Sequence, residues 1–390
     1  MPNWISIEKN DALLRLFIVD ISLKLLVSPW ATGDYIAAWG TAVSYATDGI
    51  LLGIVFMQFK RFPKSHLVIF WVFVLTAFSY AISTFIFTDE SMVGALINHL
   101  KLYLPFLAVP TAISLASHSR ISIDHAAYFM IMMVMVLIII GLATFPPSKN
   151  RTELWLPTYF GGLHTSAYVG LMTMFCFHAL ATYKRLSWFK AIPPMLLLIA
   201  LITVGWGVRT ASIGCVLFFL GQLASKFLFK NRPLVAVFFP LGFAIPAGIL
   251  PTLDFAGDIN DVSSGRIEMY IAKYDQLMAN DFLNWVIGNG YLSDLILTDV
   301  WWWAPKGAHS DLITFLVEGG LVYFFGFITV LYQFIKHHNS LQERLIIVAI
   351  ISTSIFSNGV FARPIAAYLL SIVFVIHYVN KRRLQQENGS

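Results

Sequence analysis

In the stretch WWWAPKGAHSDLITFLVEGG, residues 301–320, a histidine stands at the head of a long apolar run. Histidine gains or loses a proton near neutral pH, which suits His309 to general acid or base work, although a histidine at a membrane edge can also be a plain surface residue. In GWGVRTASIGCVLFFLG, residues 205–221, Arg209 interrupts an apolar region. A charge there costs a few kcal/mol unless it reaches water or a partner, so Arg209 either marks a span end by snorkelling or binds an anion. In GRIEMYIAKYDQLMAN, residues 265–280, Arg266 lies beside a helix start that Ser264 or Gly265 would cap, where free backbone N–H groups favour an anion. The plain reading of this last stretch is an interfacial helix whose charges face water, so each of the three offers a chemical role beside a structural one.

The elements that must position these residues are membrane helices. Of 390 residues 58% are hydrophobic and 12% charged, and mean hydropathy is +0.73. Soluble domains carry roughly 25% charged residues. About 20 apolar residues cross a bilayer, and spans are expected at 12–30, 35–59, 66–87, 94–113, 125–145, 160–183, 189–206, 210–228, 233–250, 308–335, 344–361 and 364–380. The fold class is therefore all-α, a polytopic bundle of about twelve transmembrane helices forming one membrane domain over residues 1–390. The first span is interrupted by Asp20 and Lys24 and could instead lie in the interface. No short apolar segment with a small-residue cleavage site opens the chain, so no cleaved signal peptide is expected. Cys176 and Cys215 fall within spans and say nothing of redox compartment.

Lysine and arginine set the orientation. Lys60, Arg61 and Lys64, then Lys184, Arg185 and Lys190, and finally Lys381, Arg382 and Arg383 gather on alternate connections, which places both termini in the cytoplasm. The net charge of +5 reflects this sorting, and no basic patch with interleaved aromatics suggests nucleic acid. Arg151, Arg209, Arg266, Lys273, Lys306 and Arg363 then fall on the outer side, where positive residues are disfavoured. The longest connection, residues 251–307, is also external and ends at His309. Within it Ile267, Tyr270, Ile271, Tyr274 and Met278 recur at helical spacing, so an amphipathic helix is expected on the bilayer or against the bundle, with Arg266 and Lys273 along one flank. Trp301, Trp302 and Trp303 read as an aromatic belt or as a stacking surface for sugar rings.

Taken together, VGWGVRTASIGCVLFFLG resembles the T-x-S-R-type segment of the bacterial O-antigen ligase and polysaccharide polymerase superfamily. SSGRIEMYIAKYDQLMANDFLNWVIGNGY resembles its arginine-led external helix followed by a G-x-G turn, and GAHSDLITFLVEGGLVYFFGF its histidine-led helix with an acid-Gly pattern. The resemblance covers about residues 200–335, and FGGLHTSAYVG in the first half is a weaker likeness. The proline usual before the G-x-G turn is absent, and Ser310 stands where asparagine commonly follows the histidine.

The resemblance implies transfer of a glycan from an undecaprenyl diphosphate carrier to a sugar hydroxyl at the periplasmic face of the inner membrane. By motif position it assigns Arg209 and Arg266 to the donor diphosphate and His309 to the general base. Arg363, in SNGVFARPIAAY, either touches the donor or ends the helix before Pro364; Arg151, in SKNRTELWLP, either contacts glycan or is a solvated loop charge. Asp311 can orient the base only if the helix start is irregular, since positions i and i+2 do not face each other. Asp48 and Glu318 are acids inside spans, with buried hydrogen bonding as their plain role. No D-x-D pair of the kind that holds a divalent ion with a nucleotide sugar is present, so neither cofactor nor metal is expected. The implied partners are the lipid-linked oligosaccharide, a glycan or lipid A-core acceptor, membrane lipid and a chain-length regulator. The short His309 segment inclines the reading to a polymerase, with a ligase as alternative. A flippase is the alternative of another class, but such transporters usually carry a repeat between halves, and none is visible.

Overall fold

A computed structural model describes residues 4–33, 35–62, 64–150, 153–227, 266–299, 302, 304–338 and 340–388. Among the described residues the protein is all-α apart from two three-residue strands, β1 (Ser148–Asn150) and β2 (Glu153–Trp155), paired antiparallel. In chain order the helices are α1 (Trp4–Ala31), α2 (Ala38–Gln58), α3 (Lys64–Phe87), α4 (Met92–Ser117), α5 (Ile123–Thr144), α6 (Leu163–Thr182) and α7 (Trp188–Ala200). There follow α8 (Arg209–Phe227), α9 (Arg266–Met278), α10 (Phe282–Ile287), α11 (Asp311–His337), α12 (Leu341–Phe356) and α13 (Pro364–Asn388). Eleven of the twelve expected spans thus coincide with a helix, and the ninth, residues 233–250, lies outside the described residues.

Among the described residues seven helical stretches are long and apolar enough to cross a membrane: 38–61, 66–87, 92–117, 123–144, 188–205, 311–337 and 364–387. Large apolar side chains such as Trp71, Phe78 and Phe85 are turned outward. A water-soluble protein buries such surface, whereas a bilayer solvates it, and the chain is accordingly a membrane protein.

The chain clusters into two compact units, each assembled from separated segments. One comprises residues 1–66, 104–215 and 363–390. In it α1 packs along α2 and also meets α5 and α13. The charges that interrupt α1, Asp20 and Lys24, are buried, while Leu16, Val19, Leu23 and Leu26 are exposed. That polarity suits a helix whose outer face meets lipid. Helix α6 is buried on every side from Thr165 to Ala181, as expected of a helix without a polar face. At one end Asp124 of α5 is ion-paired with Arg383 of α13 at 2.6 Å and Arg185 at 3.4 Å, and Tyr183 and His377 are bonded at 3.1 Å.

The other unit comprises residues 67–103 and 216–362. Its long helix α11 contacts α9, α10 and α12. Helix α12 opens with a capping box, in which the Ser340 hydroxyl accepts from the Glu343 amide while the Glu343 carboxylate accepts from the Ser340 amide. Helix α11 is broken about a third of the way along, at Gly320, whose φ of +63° is outside the helical region. That break organises the candidate site.

Candidate functional site

A helix interrupted at Gly320 frees carbonyls one turn earlier. Those of Val317 and Glu318 accept instead from the amides of Asn289 and Gly290, both at 2.9 Å. The donors belong to the G-x-G turn, where Gly288 and Gly290 have φ of +84° and +88°. The approach is close enough that a Cβ on Gly320 would lie 2.7 Å from the Val286 carbonyl and closer still to the Gly288 amide. The two glycine motifs are thus halves of one contact.

Glu318 completes the junction with its side chain. Its Oε1 accepts from the Leu292 amide at 3.1 Å, and the Tyr80 hydroxyl donates a short bond to Oε2. Leu292 has φ of +63°, a region a leucine rarely adopts, so the carboxylate holds a strained turn in place. Around Tyr80 are the buried rings of His99, Tyr103 and Tyr323, with the Tyr323 hydroxyl 3.0 Å from His99 Nδ1. A small cavity beside them is lined by Asn98, Thr314, Phe315 and Glu318.

Asp294 lies just beyond this turn and is buried. Its Oδ2 accepts from the Ala308 amide at 2.9 Å and from the Thr314 hydroxyl at 2.7 Å. These contacts grip the chain on both sides of His309. Reciprocal bonds between Ile296 and Lys306, at 3.1 and 2.9 Å, pin the approach to the same turn. His309 itself has φ of +53° and is half-buried. Histidine adopts this left-handed region more readily than most residues, yet it still costs roughly 1–2 kcal/mol, so the flanking bonds must hold it. Ser310 then caps α11 in extended conformation, and the Asp311 carboxylate accepts from the Gly359 amide at 3.1 Å. The helix start is therefore irregular at His309.

Lys273 of α9 faces Asp294, Nζ to Oδ1, at 3.1 Å and also donates to the Asp294 carbonyl and, at 3.2 Å, to Gln276. The sequence places Lys273 on a charged flank, but it is only 1% exposed, whereas Ile271, Tyr274 and Met278 are open. The reason is that α9 turns Met269 and Lys273, four residues apart, into the protein, where Asp294 compensates the ammonium. Burial lowers the Lys273 pKa against the raising effect of the Asp294 charge. Asp294 had no signal in the sequence, since neither spacing nor an apolar period distinguishes it from the other loop acids.

Arg209 belongs to the other unit. A π-helical turn, Leu201–Gly205, follows α7 and brings the Gly205 carbonyl to the Leu156 amide at 2.9 Å. Trp206 is buried and donates from Nε1 to the Pro157 carbonyl at 3.2 Å. Gly207, at φ +60°, reverses the chain under the Trp155 ring, where a Cβ would clash. Arg209 then opens α8 with its side chain exposed, and the next residue, Thr210, is anchored to the Tyr168 hydroxyl at 2.8 Å. The tryptophan and glycine of this motif thus aim the arginine.

Arg363, half-buried, is in the same unit as Arg209; it precedes α13 and its carbonyl accepts from the Ala367 amide. Arg266 opens α9 in the unit that holds His309, and its side chain lies outside the described part of the structure. Arg151, between β1 and β2, lies outside the described residues, as do Ser264, Gly265, Trp301 and Trp303. Trp302 is exposed. The structure therefore brings together the G-x-G turn, the acid-Gly break and the His309 segment, and it holds Arg209 and Arg363 in the other unit. Among the described residues no three His, Cys, Asp or Glu side chains are grouped to hold a metal.

No protein-family model matches this chain, and no curated protein matches it significantly in sequence.

Proposed function

We propose that the protein is a membrane glycosyltransferase that transfers an undecaprenyl-diphosphate-linked glycan to a sugar hydroxyl at the periplasmic face of the bacterial inner membrane, as a polysaccharide polymerase of the O-antigen type. In this reading the acceptor oxygen attacks the anomeric carbon, the bond from that carbon to the diphosphate oxygen breaks, and His309 takes the hydroxyl proton. Arg209 and Arg266 bind the departing diphosphate, whose growing negative charge two guanidinium forks neutralise without a metal. Arg363 and Arg151 are assigned to substrate binding in this reading, and both termini are cytoplasmic.

The observation that carries the reading is the His309 turn. A histidine is held in left-handed backbone, gripped on both flanks by a buried aspartate, beside a turn and helix break that join two motifs resembling those of the superfamily. Strain retained by such bonding is typical of functional sites. A ligase would use the same donor and base but deliver the chain to lipid A-core. One observation favours a transporter instead: the buried Asp20, Lys24 and Asp48 in the other unit, since transporters keep working charges inside the bilayer.

The deciding experiment is the lipopolysaccharide banding pattern of a host strain lacking the gene. Core capped by a single repeat identifies a polymerase. Free core beside full-length lipid-linked polymer identifies the ligase, and repeat units retained on the cytoplasmic side identify a flippase.

A further inference from the structure

Asp20 and Lys24, one helical turn apart on α1, are both buried and both face into their unit. The Lys24 ammonium is ion-paired with Asp48 of α2, donates to the Ser44 carbonyl at 3.2 Å and sits 4.8 Å from the centre of the Tyr368 ring of α13. The Tyr368 hydroxyl donates to Asp48 Oδ1 at 2.6 Å. Two carboxylate oxygens remain, Asp20 Oδ1 and Asp48 Oδ2, each buried and without a hydrogen-bond partner.

The charges do not balance. Two carboxylates oppose one ammonium, and an uncompensated charge in this surrounding is costly enough that a group gives up its ionised form or takes up a cation. Among the described residues, the charges within electrostatic reach of Asp20 are Lys24 on its own helix and Asp48 on α2. Tyr368 is the titratable group that α13 brings to the cluster. Helix α5, which also packs on α1, carries Asp124 in its first turn, already paired with Arg383 and Arg185.

A metal ion fits this place poorly, because two carboxylates are too few ligands and the Lys24 ammonium stands among them. A proton fits: it cancels the surplus charge and turns an Asp20 oxygen from an acceptor without a partner into a hydroxyl. We propose that Asp20, Lys24 and Asp48 form a proton-binding site within the membrane helices, with the proton on Asp20 at neutral pH. The site takes part in none of the glycosyl-transfer steps, and the inference stands whether or not that reading holds.

The test is infrared difference spectroscopy of the full-length protein in lipid nanodiscs at neutral pH, wild type minus Asp20→Asn. The expected result is loss of a protonated-carboxyl C=O band that shifts down in D2O, with a thermal midpoint no lower than that of wild type, because asparagine copies the neutral acid. Loss of ionised-carboxylate bands instead would mean that Asp20 is charged and would overturn the proposal. Asp48→Asn provides the second arm, since one acid against Lys24 leaves no surplus. The same band should then disappear, and its persistence would overturn the charge-balance argument.

Discussion

The Gly290 amide donates to the Glu318 carbonyl at 2.9 Å, so a turn and a long helix share one hydrogen bond that an unbroken helix would have kept for itself. This exchange requires Gly320 at φ +63° with no side chain between the two backbones. Gly320→Ala should therefore destabilise the protein by about 2 kcal/mol or more, combining left-handed strain with overpacking. Thermal unfolding in detergent measures it; an unchanged midpoint would show that the junction can relax.

Asp294→Asn should leave the Lys273 ammonium buried beside a neutral partner and cost about 3–5 kcal/mol. The pH dependence has a definite sign. Burial lowers the Lys273 pKa in the folded state, so between that value and the unfolded one the unfolded chain binds the extra proton and stability rises with pH. Removing Asp294 takes away a raising influence and opens this window at lower pH. The deficit of Asp294→Asn relative to wild type should shrink as pH rises, already below the ordinary lysine value. A deficit that stays constant or grows would contradict the assignment. Adding Lys273→Met should restore part of the loss.

Tyr80→Phe removes the hydroxyl that donates to Glu318 Oε2. The expected loss is about 1–3 kcal/mol, the range for leaving a buried polar group without its hydrogen-bond partner. Glu318→Gln, which keeps an acceptor for the Leu292 amide, should cost less. Chemical or thermal unfolding of the two variants ranks them, and the reverse order would mean that the Glu318 carboxyl, rather than the Tyr80 hydroxyl, secures the turn.

These residues show what a single sequence reveals. Helices were legible wherever the apolar run was long, as in α5 and α11. In α1 the inward charges Asp20 and Lys24 lower the hydropathy of a helix that nonetheless belongs to the packed unit. The His309 segment and the G-x-G turn stood out by residue type, but their mutual dependence did not, because backbone bonds such as Asn289 to Val317 leave no trace in side-chain chemistry. Lys273 was legible as a charge and illegible as a buried one. Its burial depends on Asp294, 21 residues away, which no helical period can anticipate.

Arg209→Lys should reduce glycan transfer on the order of 100-fold while leaving the amount of folded protein unchanged. The side chain is exposed, so packing does not depend on it, and a point charge lacks the fork that grips a diphosphate. Activity equal to wild type in membranes of equal protein content would remove Arg209 from the donor site.

The central claim is that His309 accepts the proton of the attacking hydroxyl. The most direct measurement is transfer of an undecaprenyl-diphosphate-linked glycan by purified protein in nanodiscs, wild type against His309→Asn. Asparagine tolerates the left-handed backbone that His309 adopts, so the turn should survive the change. The account predicts a fall of about 10²–10⁴-fold with an unchanged unfolding midpoint. Full transfer by a folded His309→Asn protein would contradict it.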